Sequence, residues 1–329
     1  RPATRRTGPR PRRDSTTWRR GDNPHSHLEQ NSNFVTLEAM TELVETPQDA
    51  RRDTPDALPL GPDSLVWRYF GDNRMPLIGP RPAVLQNMLA ELGQGVLDHS
   101  VFFSDTAARV RRSLPPIFMT VYGSDDENPG RQVRDYHTEI KGTMPDGQRY
   151  HALDPETYFW AHATFVDQVL YFADTFVKRL TRAEKEQIYL ESKTWYRRYG
   201  VSDRVMPATY DEFERYWDRM LDEIIVAHKT AKYGVGYVTK GFPCPKGVHP
   251  AVWKVISVVF DPVAAFLTTG GLPPRARTLL NLPWSEKQER RYQRFAAFCR
   301  SRPVNWVWDR LPMKVRYNKY ARRGYARAA

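Results

Sequence analysis

The feature that most constrains the fold is the apolar and aromatic stretch FWAHATFVDQVLYF at residues 159–172. Asp154 followed by Pro155 supplies an N-cap and a proline at the first helical position, so the sequence predicts a helix over 155–180. Large side chains recur along it at helical spacing, at Tyr158, His162, Phe165, Val169, Phe172 and Phe176. One face of this helix is therefore expected to lie in the core, with a histidine in the middle of it.

Capping boxes mark other helix starts, because a hydroxyl accepts an orphan amide proton while a Glu or Gln three residues later bonds back. The pairs are Thr181 with Glu184, Thr209 with Glu212, and Ser285 with Gln288. The pattern predicts helices at 182–199, 210–233, 286–301, 81–97, 105–113, 130–141 and 250–268. Gly200 and Gly234 are expected to end helices in the left-handed conformation. No convincing strand alternation occurs, so the predicted fold class is all-α with a single helical domain.

The basic residues are concentrated at the two ends of the chain. Residues 1–20 hold eight arginines against one acid, and residues 310–329 hold seven basic residues and no acid, so the remaining residues sum to −2 against a total of +12. We predict an extended or disordered arm at 1–57 with a short helix near 34–44, a helical domain at 58–309, and a basic tail at 310–329. Such ends attract an anionic membrane surface or an acidic protein, or serve only solubility.

Two cysteines, Cys244 and Cys299, lie far apart, and no CxxC or CxxCH is present. This excludes covalently attached c-type haem and fits a reducing compartment, so we expect a cytoplasmic protein that can associate with a membrane. The apolar stretch 251–270 is interrupted by Lys254, Asp261 and Pro262. It is expected to form core helices rather than a membrane-surface segment. Aromatic residues interleave with lysines only near the C-terminus, which argues against nucleic acid as a partner.

Two groups of residues are candidates for chemistry. A neutral His162 on an apolar wall is what a haem iron requires, although a lone buried histidine is more commonly a satisfied core residue. Arg134, His137 and Thr138 share one helical turn by their spacing. A cation, an imidazole and a hydroxyl gathered there suit a bound oxyanion or oxygen bound to iron, and an ordinary solvated face is the alternative. No Glu-x-x-His pair and no HExxH motif occurs.

Several segments together resemble the MpaB/latex-clearing-protein oxygenase family, over roughly residues 60–325. In order, they are DSLVWRYFGDNRMPLIGPRPAVLQ, GQGVLDHSVF, VRDYHTEIKG, YHALDPETYFWAHATFVD, MPATYDEFERYWDRML and LNLPWSEKQERRYQRF. The resemblance implies a mostly helical, globin-related bundle that binds non-covalent haem b. It also implies oxidative cleavage of a hydrophobic, for example isoprenoid, substrate by O2.

Carried over position by position, the resemblance assigns His162 as the proximal ligand of the haem iron, through its Nε2. Arg134 and Thr138 match a polar pair near the haem, and Arg134 could instead anchor a haem propionate. His137 stands where the latex-clearing enzymes have a distal lysine, and Leu89-Ala90 replaces the His-Pro of many relatives.

Three functions remain open on the sequence alone. The first is a haem b-dependent oxygenase in which Arg134, His137 and Thr138 are catalytic. The second keeps the haem and makes the reaction peroxidase-like, with His137 as the proton shuttle. The third is a non-catalytic haem-binding or interaction subunit, which the change at Leu89-Ala90 and the basic ends favour.

Overall fold

The structure is a computed structural model that describes residues 56–100, 106–124, 126–127, 129–245 and 247–329, without the side chains of 106–111. The predicted all-α class is confirmed, since the described residues are mostly helical with one short hairpin. The α-helices are α1 (Leu65–Phe70), α2 (Arg81–Asn87), α3 (Ala90–His99), α4 (Thr106–Tyr122), α5 (Pro129–Asp135), α6 (Pro155–Phe172), α7 (Arg182–Arg197), α8 (Tyr210–Arg219), α9 (Lys229–Gly234), α10 (Tyr237–Lys240), α11 (Pro250–Gly271), α12 (Pro274–Leu279), α13 (Glu286–Cys299), α14 (Arg302–Arg310), α15 (Met313–Arg316) and α16 (Lys319–Ala328). The expected arm at 1–57 lies almost entirely outside the described residues, as does its short helix.

The local signals for helix starts are confirmed. All three capping boxes form, and the Asp154 side chain accepts from the Glu156 amide at the start of α6. Gly200 has a φ of 68°, in the left-handed region that ends a helix at low cost for glycine. Gly234 does not have a positive φ, because the chain turns directly from α9 into α10 there, so that prediction is wrong.

Helix α6 lies in the centre of the fold. Its predicted inward face is buried at Tyr158, His162, Val169 and Phe172, while Phe165 is half-buried. Phe159, Trp160, Ala163 and Val166 are buried as well, so the helix is covered on nearly all sides. Helices α1, α2 and α7 pack directly against it. A helix that is apolar nearly all round can be stable only inside such a shell.

Two helices predicted as continuous are each interrupted, and the interruptions meet. The predicted helix 81–97 breaks at Leu89, whose backbone is extended, and the predicted helix 210–233 ends in a π-turn at Met220–Ile224 before an extended Ile225. The Val226 amide donates to the Met88 carbonyl at 2.8 Å. The first break frees the Met88 carbonyl and the second frees the Val226 amide. This one hydrogen bond satisfies both groups, which compensates in part for the helical hydrogen bonds that the breaks remove.

The predicted helix 130–141 is also shorter than expected. Helix α5 ends at Asp135, and residues 136–140 turn into a hairpin of β1 (Lys141–Thr143) and β2 (Arg149–His151). Gly147 has a φ of 90° in the connecting turn. The Asp146-Gly147 pair is a typical hairpin signal that the helical interpretation overlooked.

Residues 310–329, which we predicted as a basic tail, contain a helix that packs on the preceding helices. Helix α16 packs on α4, with Ala321 and Gly324 buried, and the Tyr320 ring stacks on Phe118 at 5.4 Å. A Cβ on Gly324 would lie 3.1 Å from Cβ of Tyr122, so the helices approach closely there. The aromatic residues among the arginines give this basic segment an apolar face, and the sequence interpretation weighed only its charge.

Helix α11 is the other departure from the prediction. None of residues 250–267 is buried, whereas Thr268, Thr269, Gly270 and Gly271 are. The expected core helix therefore enters the core only with its last turn. Among the described residues, α11 is a helix whose length and apolar composition would allow it to cross a membrane.

A buried ion pair connects α2, α6 and α11. Arg81 donates to both carboxylate oxygens of Asp167, with Nε–Oδ2 at 2.5 Å and Nη2–Oδ1 at 2.8 Å. Its remaining terminal nitrogen donates to the Gly271 carbonyl at the end of α11. The guanidinium lies 4.0 Å from the Tyr171 ring centroid. A single cation therefore satisfies the buried carboxylate and a helix C-terminus together.

We predict that Asp167→Ala lowers the free energy of unfolding by about 3–5 kcal/mol, because it leaves the Arg81 charge buried without a partner. Urea unfolding followed by circular dichroism measures the change. Glu286→Ala, which removes the exposed Arg290–Glu286 pair, is the matched control and should cost less than about 1 kcal/mol. Equal losses in the two variants would contradict the central role of the buried pair.

Candidate functional site

His162 is enclosed by aromatic side chains from α6, α7 and the turn after α7. Its ring centroid lies 5.1 Å from that of Trp195, 5.0 Å from Tyr196, 6.0 Å from Tyr199 and 6.3 Å from Phe159. The residue is 2% exposed. Trp195 and Tyr196 lie on α7, which begins at the Thr181–Glu184 capping box, and Tyr199 follows the end of α7.

The two ring nitrogens of His162 have different surroundings. Nε2 lies 3.0 Å from the Ser192 carbonyl, which can only accept, so Nε2 carries the proton and is not the nitrogen left open for iron, contrary to the expectation from the resemblance. Nδ1 then holds the lone pair, and it is buried without a hydrogen-bond partner. Burial lowers the pKa of His162 to about 3, against a smaller opposite effect of the Ser192 bond. The site therefore presents a neutral imidazole with an unused lone pair in an apolar enclosure.

Arg134, His137 and Thr138 lie at the end of α5 and in the turn that follows it. The His137 and Thr138 amides donate to carbonyls three residues earlier, which keeps the three residues on one short winding segment. Arg134 pairs with Asp135 at 2.6 Å and is partly exposed. The Thr138 hydroxyl is exposed and donates to the Asp135 carbonyl at 2.9 Å. His137 is half-buried, and its Nδ1 donates to the Val133 carbonyl at 2.8 Å.

Two tyrosines separate this segment from His162. The His137 ring is 5.9 Å from Tyr158, Tyr158 is 5.4 Å from Tyr199, and Tyr199 is 6.0 Å from His162, between ring centroids. Burial raises the pKa of both tyrosines, so their hydroxyls stay protonated. The structure thus places both predicted groups around one aromatic cluster but not in direct contact.

Sequence reasoning identified His162 and Tyr158 but missed the α7 side of the site. Ser192 anchors the imidazole, and Trp195, Tyr196 and Tyr199 form its wall. These positions share one helical face, at spacings of three, four and seven residues from Ser192. That spacing could have indicated a shared helical face. The sequence does not reveal, however, that this face of α7 packs against α6.

Neither of the two described cavities lies at the imidazole of His162. Two surface cavities, of about 400 and about 470 Å³, lie near α1 and α15 and beside α8, and neither is lined by His162 or by residues 134–138. Among the described residues, no cluster of three or more His, Cys, Asp or Glu side chains is arranged to hold a metal ion. Among the described residues, the imidazole lone pair that a metal could use at this place is that of His162 Nδ1.

Comparison with known proteins gives one family and two relatives. Residues 67–301 match the family described as ER-bound oxygenase mpaB/B'/Rubber oxygenase, catalytic domain. Uncharacterized proteins of Mycobacterium tuberculosis (Rv2237) and Mycobacterium bovis (Mb2261) are each 24% identical to this chain over 221 residues, which cover 64% of this chain and 81% of the relative. No solved structure matches.

We predict a pH dependence of stability that originates from His162 in the cofactor-free protein. Folding holds its pKa near 3, whereas in the unfolded chain it returns to its ordinary 6.5. Between those values the unfolded state binds more protons, so the free energy of unfolding falls as pH falls, by up to about 1.4 kcal/mol per pH unit. His162→Gln, which can still donate to Ser192 but does not titrate, should lose this slope.

Urea unfolding at several pH values between 6.5 and 4 measures the difference between the two slopes. His249→Gln is the control, because His249 is exposed at the start of α11. If wild type and His162→Gln show the same slope, His162 is not held neutral by the fold.

Proposed function

The chain belongs to the mpaB/rubber oxygenase catalytic-domain family, and from this we propose that it is a haem b-dependent oxygenase that oxidises a hydrophobic substrate with O2. The family match includes both histidines of the candidate site and the whole of α6 and α7. Membership supports oxygenase chemistry in general. The haem and the substrate class are our proposal, with isoprenoids as the candidate class that the resemblance of the sequence suggests.

The observation that carries the haem proposal is the unpartnered Nδ1 of His162. An iron ligand must be a neutral imidazole, and the second nitrogen of such a ligand usually donates to a backbone carbonyl. His162 has both properties, because burial keeps it neutral and Ser192 accepts its Nε2 proton. A haem held here would need an imidazole nitrogen from the protein to bind its iron. One lone pair, without further clustered ligands among the described residues, fits that requirement.

The packing around His162 sets a condition on this proposal. The imidazole is enclosed by four aromatic rings and is almost completely buried. A porphyrin can reach it only if some of these side chains move. Tyr158 and Tyr199 are the obvious candidates, since they occupy the space between His162 and His137.

Each part of the site then has a defined task. His162 would hold the haem, which supplies the iron for O2 activation. The aromatic wall from α6 and α7 excludes water and offers an apolar surface to a hydrophobic alkene. His137 carries a proton on Nδ1, so its Nε2 is the nitrogen able to accept or return one. Arg134 would donate hydrogen bonds to an anionic oxygen or a propionate, after releasing Asp135. The Thr138 hydroxyl would likewise have to leave the Asp135 carbonyl.

The first test measures haem binding. We predict that the purified or hemin-reconstituted protein shows a Soret band with about one extractable haem b per chain. His162→Ala should lose most of this haem while remaining folded, because alanine favours a helix. His249→Ala, the matched histidine control, should bind haem like wild type. A wild-type protein that ignores hemin would contradict the proposal, and haem retained by His162→Ala would move the ligand to another residue.

The second test measures turnover of an alkene substrate per bound haem. We expect His137→Ala to lose about 10²- to 10⁴-fold of O2-dependent turnover and Arg134→Ala about 10²- to 10³-fold, because these variants remove a proton-transferring group and a positioned donor. His99→Ala, at an exposed histidine, should have no effect.

Three outcomes separate the alternatives in that second test. Turnover with peroxide but not with O2 would favour the peroxidase-like reaction. Haem binding without turnover by either oxidant would favour a non-catalytic haem-binding subunit. Reduced haem occupancy in Arg134→Ala would identify Arg134 as a propionate anchor.

A further inference from the structure

The first four turns of α11 expose a broad apolar surface. Val255, Val258 and Val259 are 74%, 71% and 69% exposed, and Val252, Ile256 and Val263 are about half exposed. On a helical projection these six side chains lie within one continuous arc, with Lys254 at its edge and Asp261 beyond Lys254. An exposed aliphatic surface of this extent on a soluble domain typically marks an interaction site. We call these six residues the α11 apolar face.

The last turn and the middle of α11 are both held by protein, which argues against α11 crossing a membrane as a span. Its last turn is fixed in the core, where a Cβ on Gly271 would lie 2.6 Å from the Ile78 carbonyl oxygen and Arg81 binds the Gly271 carbonyl. Midway along the helix, Asp261 accepts from the Phe242 amide at 3.3 Å. Phe242 also packs against Phe260. One side of α11 is thus occupied by protein, and only the opposite side is open.

The charge of the surrounding segment selects the kind of partner. Residues 224–260 contain five lysines and no aspartate or glutamate. Of these lysines, Lys229, Lys232, Lys240 and Lys254 are exposed on α9, α10 and α11. Further exposed apolar side chains, Ile224, Val226 and Tyr233, lie in the same segment. Aliphatic side chains combined with lysines, without acids, are typical of segments that lie in the interface of an anionic membrane.

We infer that the α11 apolar face, with the lysines of α9–α11, docks the domain onto an anionic lipid bilayer, with α11 inserted into one leaflet. A protein partner is less well matched, since the centres of protein interfaces are rich in aromatic residues, methionine and arginine and poor in lysine. The exposed face has valine and isoleucine instead. This inference does not depend on the haem or on the oxygenase activity.

The test uses the full chain and vesicles of phosphatidylcholine with or without phosphatidylserine, and measures the partition coefficient by co-sedimentation. Val255→Asn with Val259→Asn should lower binding to anionic vesicles at least about tenfold, because it removes apolar surface without changing charge. The matched control, Phe298→Asn with Val307→Asn, makes the same kind of change on exposed residues of α13 and α14 and should bind like wild type. Circular dichroism verifies that both variants fold.

A second arm tests the lysines. Lys229→Gln, Lys232→Gln and Lys240→Gln together should weaken binding by roughly fivefold per lysine at low salt and by less at high salt. Lys141→Gln, Lys287→Gln and Lys314→Gln, at exposed lysines elsewhere, are the control and should have a smaller effect.

Four results would overturn the inference. In the first, the wild type does not bind anionic vesicles at low salt. In the second, the valine variant and its control variant lose vesicle binding equally. In the third, deletion of residues 1–20 abolishes vesicle binding while the valine variant binds like wild type. The fourth is a dimer, seen by sedimentation velocity, that the valine pair dissociates while vesicle binding is absent. That last result would show that a second copy covers the face.

Discussion

The buried ion pair between Arg81 and Asp167 holds the almost wholly buried helix α6 in place. Helix α6 brings Asp167 into the core, and a carboxylate there is tolerated only with a full set of partners. Arg81 supplies them and also binds the last carbonyl of α11, so three helices share one charged contact. Because both charges are buried, moving either one is costly, and the pair fixes the register of α6 against α2. His162 lies five residues before Asp167 and takes its position from that register.

His162 and Asp167 show two different solutions to burying a polar side chain in one helix. Asp167 is charged and satisfied within the protein. His162 is neutral and only half satisfied, since Ser192 bonds to one nitrogen and no described residue bonds to the other. An unsatisfied buried nitrogen costs stability, and such costs are commonly retained where a ligand uses the atom. This is why the unpartnered nitrogen, rather than the fold, supports a cofactor at this place in a family of oxygenases.

The two ends of helix α11 differ in how far they are buried. One end is fixed beside Ile78 and Arg81, next to the helices that hold the site, whereas the other end presents aliphatic side chains to solvent. A hydrophobic substrate partitions into lipid, so an oxygenase that acts on one benefits from contact with a bilayer. The α11 apolar face and the enclosed histidine lie on helices that are joined by the same ion pair.

The fold class, the capped helix starts and the central candidate His162 could all be predicted from the amino-acid order, because these depend on short-range hydrogen bonds and on periodicity. Where the helices break could not be predicted in this way, since the extended backbone at Leu89 and Ile225 accompanies a hydrogen bond between distant segments, from the Val226 amide to the Met88 carbonyl. Likewise, only packing showed that α16 belongs to the domain and that α11 lies mostly outside its core. The apolar composition of a helix does not reveal which neighbouring element, if any, will cover its apolar face. The partners of His162 were hidden for the same reason: Ser192 and Tyr199 became its surroundings only once α7 was packed against α6.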